Sequence, residues 1–423
     1  MSSSDRALRV LLLNHADVGY GGAAVAGFRL HRSLLAAGVD STLLVGTKAS
    51  SEPTVGVLRT HPVVRRPLAK LGYEVGLNGL EGMAAYGLLR SPKIAEADVI
   101  HAHAVWGSWF SYPALAPLSR RTPVVHTLHD MWTFTGHCSF SFECERWRTG
   151  CGHCPHLEVA PPVRRDATAV EWRLKDALWS HSRLVIISPS RWLAELAEQS
   201  MLSRFEVRVI PHGIDTDEFA PRPREASRAA LGLAPDRTAV LFASASLQGG
   251  AGIDASDRKG VDLLLGALRA VPPALRATCT LLLMGGGGQA MATVLRAEGY
   301  EVIDVGYVVS DPLKSFVYSA ADVFVFPTRA DNAPLVVLES LACGTPVASF
   351  DVGGLAEMIE PGTTGTLAPA GDVTHLTADL VALLEDPVRL SAMRPACRTL
   401  VETEHPAALA AARHIALYRE LAG

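Results

Sequence analysis

The stretch LRVLLLNHADVGYGGAAVAGFRLHRSLLAAGVDSTLLVG, residues 8–46, decides the fold. Its first segment, 8–14, is an apolar run that reads as a strand buried on both faces. Gly19, Gly21 and Gly22 then turn the chain. A helical pattern runs over 23–37 and stops at Gly38, and 42–46 is the next strand. Strand, helix and strand in that order make a parallel pair joined by a right-handed crossover.

The alternation continues outward. Further strands are read at 99–102, 124–128, 184–187 and 207–210. The turn Pro211-His-Gly-Ile-Asp215, followed by Pro221 and Pro223, marks a domain boundary. Beyond it strands fit 239–243, 280–284, 302–305, 323–327, 346–350 and 365–367. Helices fit 260–270, 289–299, 312–320, 334–343, 355–360 and 374–385, with a last Ala-rich helix at 406–421. The expected architecture is α/β: two tandem Rossmann-like, doubly wound parallel-sheet domains facing a cleft. Their spans are 1–212, with a Cys-rich insertion at about 134–157, and 213–404, while 405–423 crosses back onto the first domain. Sheets of this kind bind ligands at the carboxyl ends of their strands.

Composition narrows the function classes. With 39 Lys and Arg against 43 Asp and Glu, the chain offers no general attraction to nucleic acid. Residues 1–10 are too short and too charged in their apolar part for a signal peptide, and no apolar run reaches 18 residues. The uncharged run 104–119, interrupted by Pro113 and Pro117, reads as a helix of a folded domain. Seven Cys, an odd number, point to a reducing compartment. The expected location is the cytoplasm, with a peripheral contact at the inner membrane face. That contact would use the basic, Leu-rich stretch opening at Arg65-Arg66.

Five constellations carry the chemistry. Arg258-Lys259-Gly260 opens a helix, where two cations and helix N–H groups suit a diphosphate; a solvated basic pair is the equally weighted alternative. Asp331 and Glu339 flank a strand-to-helix turn in which Pro334 suits the first helical turn. They can accept hydrogen bonds from sugar hydroxyls while the N–H groups near Leu335 and Val336 face a phosphate; a helix cap and an ordinary helical Glu would explain them more blandly. His129 and Asp130 stand at the carboxyl end of a strand, and His126 within it reads as a core residue. Gly21 and Gly22 sit in a partial dinucleotide fingerprint whose second strand ends in Gly46-Thr47-Lys48, without the ribose-binding acid. They read as a loop that admits substrate to the backbone. Finally Cys138, Cys144, Cys151 and Cys154 lie within 17 residues and resemble a tetrahedral thiolate site for structural zinc; Fe–S, disulfides and free thiols are the alternatives.

Taken together, Gly21-Gly22, Thr127-Leu-His-Asp-Met-Trp132, Phe134 through Pro155, Ile210 through Asp215, Arg258-Lys-Gly260, Asp331 through Glu339 and Ala342 through Val347 resemble the retaining GT-B glycosyltransferases of family 4. The likeness is to the exopolysaccharide branch of the colanic-acid type. The resemblance implies that Arg258 and Lys259 neutralise the donor diphosphate. It also implies that Glu339 holds the ribose, that Asp331 contacts the donor sugar, and that Leu335 and Val336 offer amides to the phosphate. Gly306 and Tyr307 would hold the base, His129 would lie near the sugar's reacting face, and Gly22 beside the phosphates and acceptor. Asp331 is one methylene shorter than the family's usual Glu, and His212 stands where many relatives have Asn. The expected reaction is retaining transfer from a nucleotide-sugar, UDP- or GDP-linked, to a hydroxyl acceptor that is a saccharide, a lipid-linked saccharide or a natural product. No cofactor is expected for catalysis. The alternatives are a nucleotide-sugar epimerase, a nicotinamide-dependent dehydrogenase and a non-catalytic sugar-nucleotide-binding protein.

Overall fold

A computed structural model describes residues 6–59, 62–247 and 258–423. The chain divides into two compact units, residues 1–213 with 407–423, and residues 214–406. In the first, seven strands are ordered β3-β2-β1-β4-β5-β6-β7. They are β1 (Arg9–Ala16), β2 (Asp40–Thr47), β3 (Val55–Val57), β4 (Val99–Ala102), β5 (Val124–Thr127), β6 (Leu184–Ser188) and β7 (Glu206–Val209). In the second, six strands are ordered β10-β9-β8-β11-β12-β13. They are β8 (Thr238–Ser246), β9 (Cys279–Gly286), β10 (Glu301–Gly306), β11 (Val323–Phe326), β12 (Val347–Phe350) and β13 (Gly365–Ala368). Their pairings are parallel.

Each sheet is covered on both faces, which is why central strands such as β5, β11 and β12 are buried along their whole length, while the edge strands β7 and β10 carry charged residues. In β1, Leu11 and Leu13 join one core cluster while Val10 and Leu12 join the other. In β8, Val240 and Phe242 face one way, and Ala239, Leu241 and Ala243 the other. The helix Ala407–Ala422 closes one face of the first unit. It buries Ala410, Ala411, His414, Leu417 and Tyr418, a stripe with helical spacing. Leu417 and Tyr418 pack with Val10, Leu12, Val125 and Ile187. The Tyr418 hydroxyl is hydrogen-bonded to His101 Nδ1 at 2.5 Å.

Three expectations are corrected. The run 104–119 is helical only at Tyr112–Ala114 and Leu115–Ser119, because Gly107 has a φ of +86° and Pro113 starts the short turn. The helix expected at 355–360 is a single turn, Leu355–Glu357, flanked by Gly353 and Gly354. The helix Pro387–Glu404 was not read from the sequence, because it carries Pro395 in its interior. Trp109, Phe110 and Tyr112 are buried core residues. The helix Pro62–Val75 exposes Arg66, Lys70, Leu71, Tyr73 and Val75. Among the described residues no helix is long and apolar enough to cross a membrane.

Tyr418→Ala tests the returning helix. Removing a fully buried aromatic costs about 3–5 kcal/mol, read as a lower urea midpoint of the first unit's unfolding. A loss below about 1 kcal/mol would mean the helix contributes little to that core.

Candidate functional site

In a doubly wound sheet the crossovers reverse direction once, and the carboxyl edge opens at that point. In the second unit the reversal lies between β8 and β11. Arg258 and Lys259 follow β8, and Asp331 follows β11. The stretch before Arg258, rich in Gly, Ser and Asp, lies largely outside the described residues. Gly260 has a φ of +69°, and a methyl group added there would stand 1.9 Å from the Pro327 carbonyl oxygen. Only glycine lets the start of the helix Val261–Ala270 press against the end of β11.

That contact fastens the cation pair to the opposite loop. The Arg258 carbonyl accepts from Thr328 Oγ1 at 3.0 Å and from Arg329 N at 2.8 Å. Arg258 Nη1 donates to the Ala330 carbonyl at 2.7 Å and to Asp331 Oδ2 at 2.9 Å. Lys259 Nζ donates to the same Oδ2 and lies 4.9 Å from the Phe326 ring centre. Arg329 is paired with both oxygens of Asp262 at 2.8 and 2.6 Å. Neither Asp262 nor Arg329 was singled out from the sequence, since 67 residues separate them.

Asp331 is thus a counter-ion to both cations. Burial alone would raise its pKa, but Lys259 and Arg258 outweigh burial and hold the carboxyl below its ordinary value. Its Oδ1 accepts from Asn332 N at 3.2 Å. Gly353, with a φ of +60°, passes so close that an added methyl would lie 1.7 Å from the Asp331 carbonyl oxygen. Leu335 and Val336 begin the helix Leu335–Ala342, where first-turn N–H groups have no acceptor within the helix. Glu339 lies on the same helix, 3% exposed, and its Oε2 accepts from the Tyr318 hydroxyl at 3.1 Å. Gly306 ends β10, two strands from β8, and the Tyr307 side chain beside it is half exposed.

In the first unit the reversal lies between β1 and β4. Gly21 ends the loop after β1, and Gly22 begins the helix Gly22–Ala36. No atom lies within 4 Å of where a side chain would start at either position. His129 follows β5, and its Nε2 is hydrogen-bonded to His103 Nδ1 at 3.0 Å. It stacks on His212, with ring centres 5.6 Å apart and planes 19° apart. Burial, then neighbouring His103 and His212, push its pKa well down, so the ring is neutral near pH 7. Asp130 Oδ1 caps the turn by accepting from Trp132 N at 2.9 Å. His126 is a satisfied core residue, bonded at Nδ1 to the Ala102 carbonyl and at Nε2 to Thr133 Oγ1.

The cysteines of the expected thiolate site come together in the fold. All four of Cys138, Cys144, Cys151 and Cys154 line one pocket with His137. Yet among the described residues no three His, Cys, Asp or Glu groups are set closely enough to hold an ion. The sulfurs are spread over local partners instead. Gly136 N donates to Cys151 Sγ at 3.2 Å, His156 N to Cys154 Sγ at 3.5 Å, and His137 Nε2 lies 3.4 Å from Cys154 Sγ. Burial pushes Cys138 up to about 12 and Cys151 up to about 11, which keeps both as thiols. The segment is held from beneath by Lys175, a fully buried residue of the helix Thr168–Ser180. Its Nζ donates to the Trp132 and Thr135 carbonyls at 2.7 and 3.0 Å and sits 3.6 Å from the Trp132 ring centre.

The Asp331 geometry sets a pH dependence. A depressed folded pKa stabilises the fold above the ordinary carboxyl value near 4, and that gain disappears as pH falls through the folded value. Asp331→Asn should therefore lower the urea midpoint at pH 7 and converge on the wild type once pH has fallen through the depressed folded value. A difference independent of pH would contradict the counter-ion role.

Comparisons with known proteins now bear on the site. The family model described as "Glycosyltransferase Family 4" matches residues 20–218, and "Glycosyl transferases group 1" matches residues 251–386. A D-inositol 3-phosphate glycosyltransferase of Thermobispora bispora is 29% identical over 392 residues, 88% of this chain and 84% of that protein. One from an Arthrobacter species is 29% identical over 382 residues, 87% and 82% of the two chains. The fold is shared with sucrose-phosphate synthase of Thermosynechococcus elongatus, with TM-score 0.72, 22% identity and coverage of 98% and 99%. It is shared also with Anabaena HepE solved with UDP and glucose, with TM-score 0.67, 18% identity and coverage of 97% and 99%.

Proposed function

This chain belongs to the family 4 glycosyltransferases of GT-B fold, and on that premise we propose that it is a retaining transferase that needs no metal for catalysis. It takes its sugar from a nucleoside-diphosphate donor held by residues 214–406. The observation that carries this is the Arg258–Asp331–Lys259 cluster at the winding reversal of the second sheet. One carboxylate against two cations leaves positive charge for the donor's diphosphate, and Leu335 and Val336 add first-turn N–H groups.

As the glycosidic bond breaks, negative charge gathers on the leaving diphosphate and positive charge on the sugar. Fixed cations and N–H groups stabilise the first without reorganising. Asp331 keeps them fixed, so its role is to position Arg258 and Lys259 as well as to meet the sugar. Glu339 takes the ribose hydroxyls, and Gly306 with Tyr307 the base. His129, neutral, positions the sugar without adding positive charge beside the oxocarbenium-like centre. Retention follows a front-side attack in which a leaving phosphate oxygen takes the acceptor's proton. The acceptor is a polyol hydroxyl. Two relatives are named for D-inositol 3-phosphate, so a phosphorylated polyol is the first acceptor to offer and an exopolysaccharide saccharide the second.

The test is a saturation-transfer NMR and thermal-shift screen against UDP-, GDP-, dTDP- and ADP-sugars, beside Arg258→Ala/Lys259→Ala. One nucleotide class should stabilise the wild type and not the variant. With an acceptor found, kcat/KM should fall by at least about 10²-fold in the variant, EDTA should leave the rate unchanged, and the anomeric proton should keep its configuration. Equal binding by the variant would overturn the phosphate site. Binding without turnover of donor or acceptor would leave a sugar-nucleotide-binding protein.

For the cysteine-lined pocket we propose structural zinc, supported by the convergence of four thiols and His137 on one cavity. Binding would draw the sulfurs together and ionise them. Elemental analysis should find about one zinc per chain, and chelation should lower the melting temperature in the wild type but not in Cys151→Ser/Cys154→Ser. Metal-free protein with seven titratable thiols and an unshifted melting curve would refute it.

A further inference from the structure

The first unit buries more histidine than the proposed reaction uses. His101, His103, His126 and His414 are all buried, and the rings of His101 and His103 lie 4.2 Å apart. His101 is spoken for on both sides, by Tyr418 and by Thr127 Oγ1. His414 Nδ1 donates to the Ala410 carbonyl at 2.7 Å. His103 differs. It is 3% exposed, its Nδ1 meets His129 Nε2, and its Nε2 is buried with no hydrogen-bond partner among the described residues. It lines a cavity of about 30 Å³ together with Arg29, Thr127, His212 and His414. That is room for a water molecule.

We propose that His103 is a positioning residue for His129, holding its ring in the Nδ1–H tautomer through the Nδ1–Nε2 bond. The inference rests on the reading above, in which His129 meets the donor sugar. Two neutral rings share a single hydrogen across that bond. Either His103 Nδ1–H donates, or His129 Nε2–H does. In the second case His103 would carry its hydrogen on Nε2 and point it into the cavity. The cavity is lined by Arg29, whose guanidinium only donates, and by His414, whose Nε2 accepts behind a bonded Nδ1–H. A single water there would accept from Arg29 and have one hydrogen for His414 Nε2 and one for a bare His103 Nε2. His103 therefore donates from Nδ1, His129 accepts at Nε2, and the hydrogen of His129 resides on Nδ1.

The consequence is chemical. His129 Nε2 is occupied as an acceptor, so the ring's donor is directed through Nδ1 alone. Burial, with His101, His414, His212 and His126 around the pair, disfavours protonation of His103. Burial, with His103, His212, His126 and His15, does the same for His129. A neutral, fixed donor can bind a sugar hydroxyl while adding no repulsion as positive charge develops on the ring carbon. The backbone holds the partner in place: His103 N donates to the Leu13 carbonyl at 2.9 Å, at the winding reversal of the first sheet.

Two variants separate this from simple packing. Asn at position 103 can place an amide N–H near where Nδ1 stands; Leu fills the space and donates nothing. Long-range ¹⁵N–¹H spectra of the full chain, without ligand, report the tautomer of His129. The wild type and His103→Asn should show Nδ1–H, and His103→Leu should show Nε2–H or a mixture. If His103→Leu does not fold, His103→Gln, whose amide reaches toward Nε2, takes its place. With the donor found in the screen above, kcat should drop about 10–100-fold in His103→Leu, as for other groups that orient a working histidine. The donor KM should change little, and His103→Asn should recover most of the rate. An unchanged His129 tautomer in His103→Leu, or equal losses in the Asn and Leu variants, would overturn the proposal. If no donor is turned over by the wild type, the transferase reading fails, while the spectra still decide what His103 does.

Discussion

A parallel sheet buried on both faces has one unavoidable opening. Each crossover must lay a helix on one face or the other, and where the chain changes face, adjacent strands send their loops apart. In the first unit this happens between β1 and β4, and in the second between β8 and β11. The residues argued for chemistry cluster about those two points. Gly21, Gly22, His103 and His129 follow β1, β4 and β5; Arg258, Lys259 and Asp331 follow β8 and β11. The cores on either side are ordinary apolar packing, and their work is to hold these loop origins still.

Charge in the second unit is arranged before any ligand arrives. Two cations pointing at one place would repel each other and stay mobile. Asp331 lets them share one oxygen, and the bidentate Arg329–Asp262 pair ties the Asp331 loop to the helix that follows the cations. Under the proposed function, a diphosphate would meet groups already oriented, which is the condition for stabilising a leaving group cheaply. The shorter side chain at 331, unusual for the family it resembles, suits this bridging role because its carboxylate stays close to its own backbone.

The first unit uses buried polar groups differently. Lys175 donates to the carbonyls of Trp132 and Thr135, so the helix Thr168–Ser180 braces a turn that lies outside any strand or long helix. The Cys-rich insertion stands on that turn. Sequence spacing shows that the thiols are near neighbours along the chain. It does not show what each sulfur meets in the fold, where backbone amides donate to Cys151 and Cys154. His126 lies within β5 and His129 just beyond its end, a distinction already legible in the sequence. One is closed off by Ala102 and Thr133, and the other faces His103 and His212.

The sequence by itself determined the class of fold, since apolar runs too short for helices alternate with helical patterns and can only be buried as parallel strands between helices. It also determined which residues carry charge near helix starts, as at Arg258 and Lys259. It misplaced elements where proline or glycine decided the outcome, at 104–119, at 355–360 and around Pro395. The tertiary structure alone decided the pairings. Arg258 and Lys259 meet a carboxylate over 70 residues away, and His101 meets Tyr418 across 317 positions. His103 meets His129 rather than solvent. Such contacts depend on which strands become neighbours, and no local pattern encodes that: winding order is settled only when the whole sheet buries its two faces together.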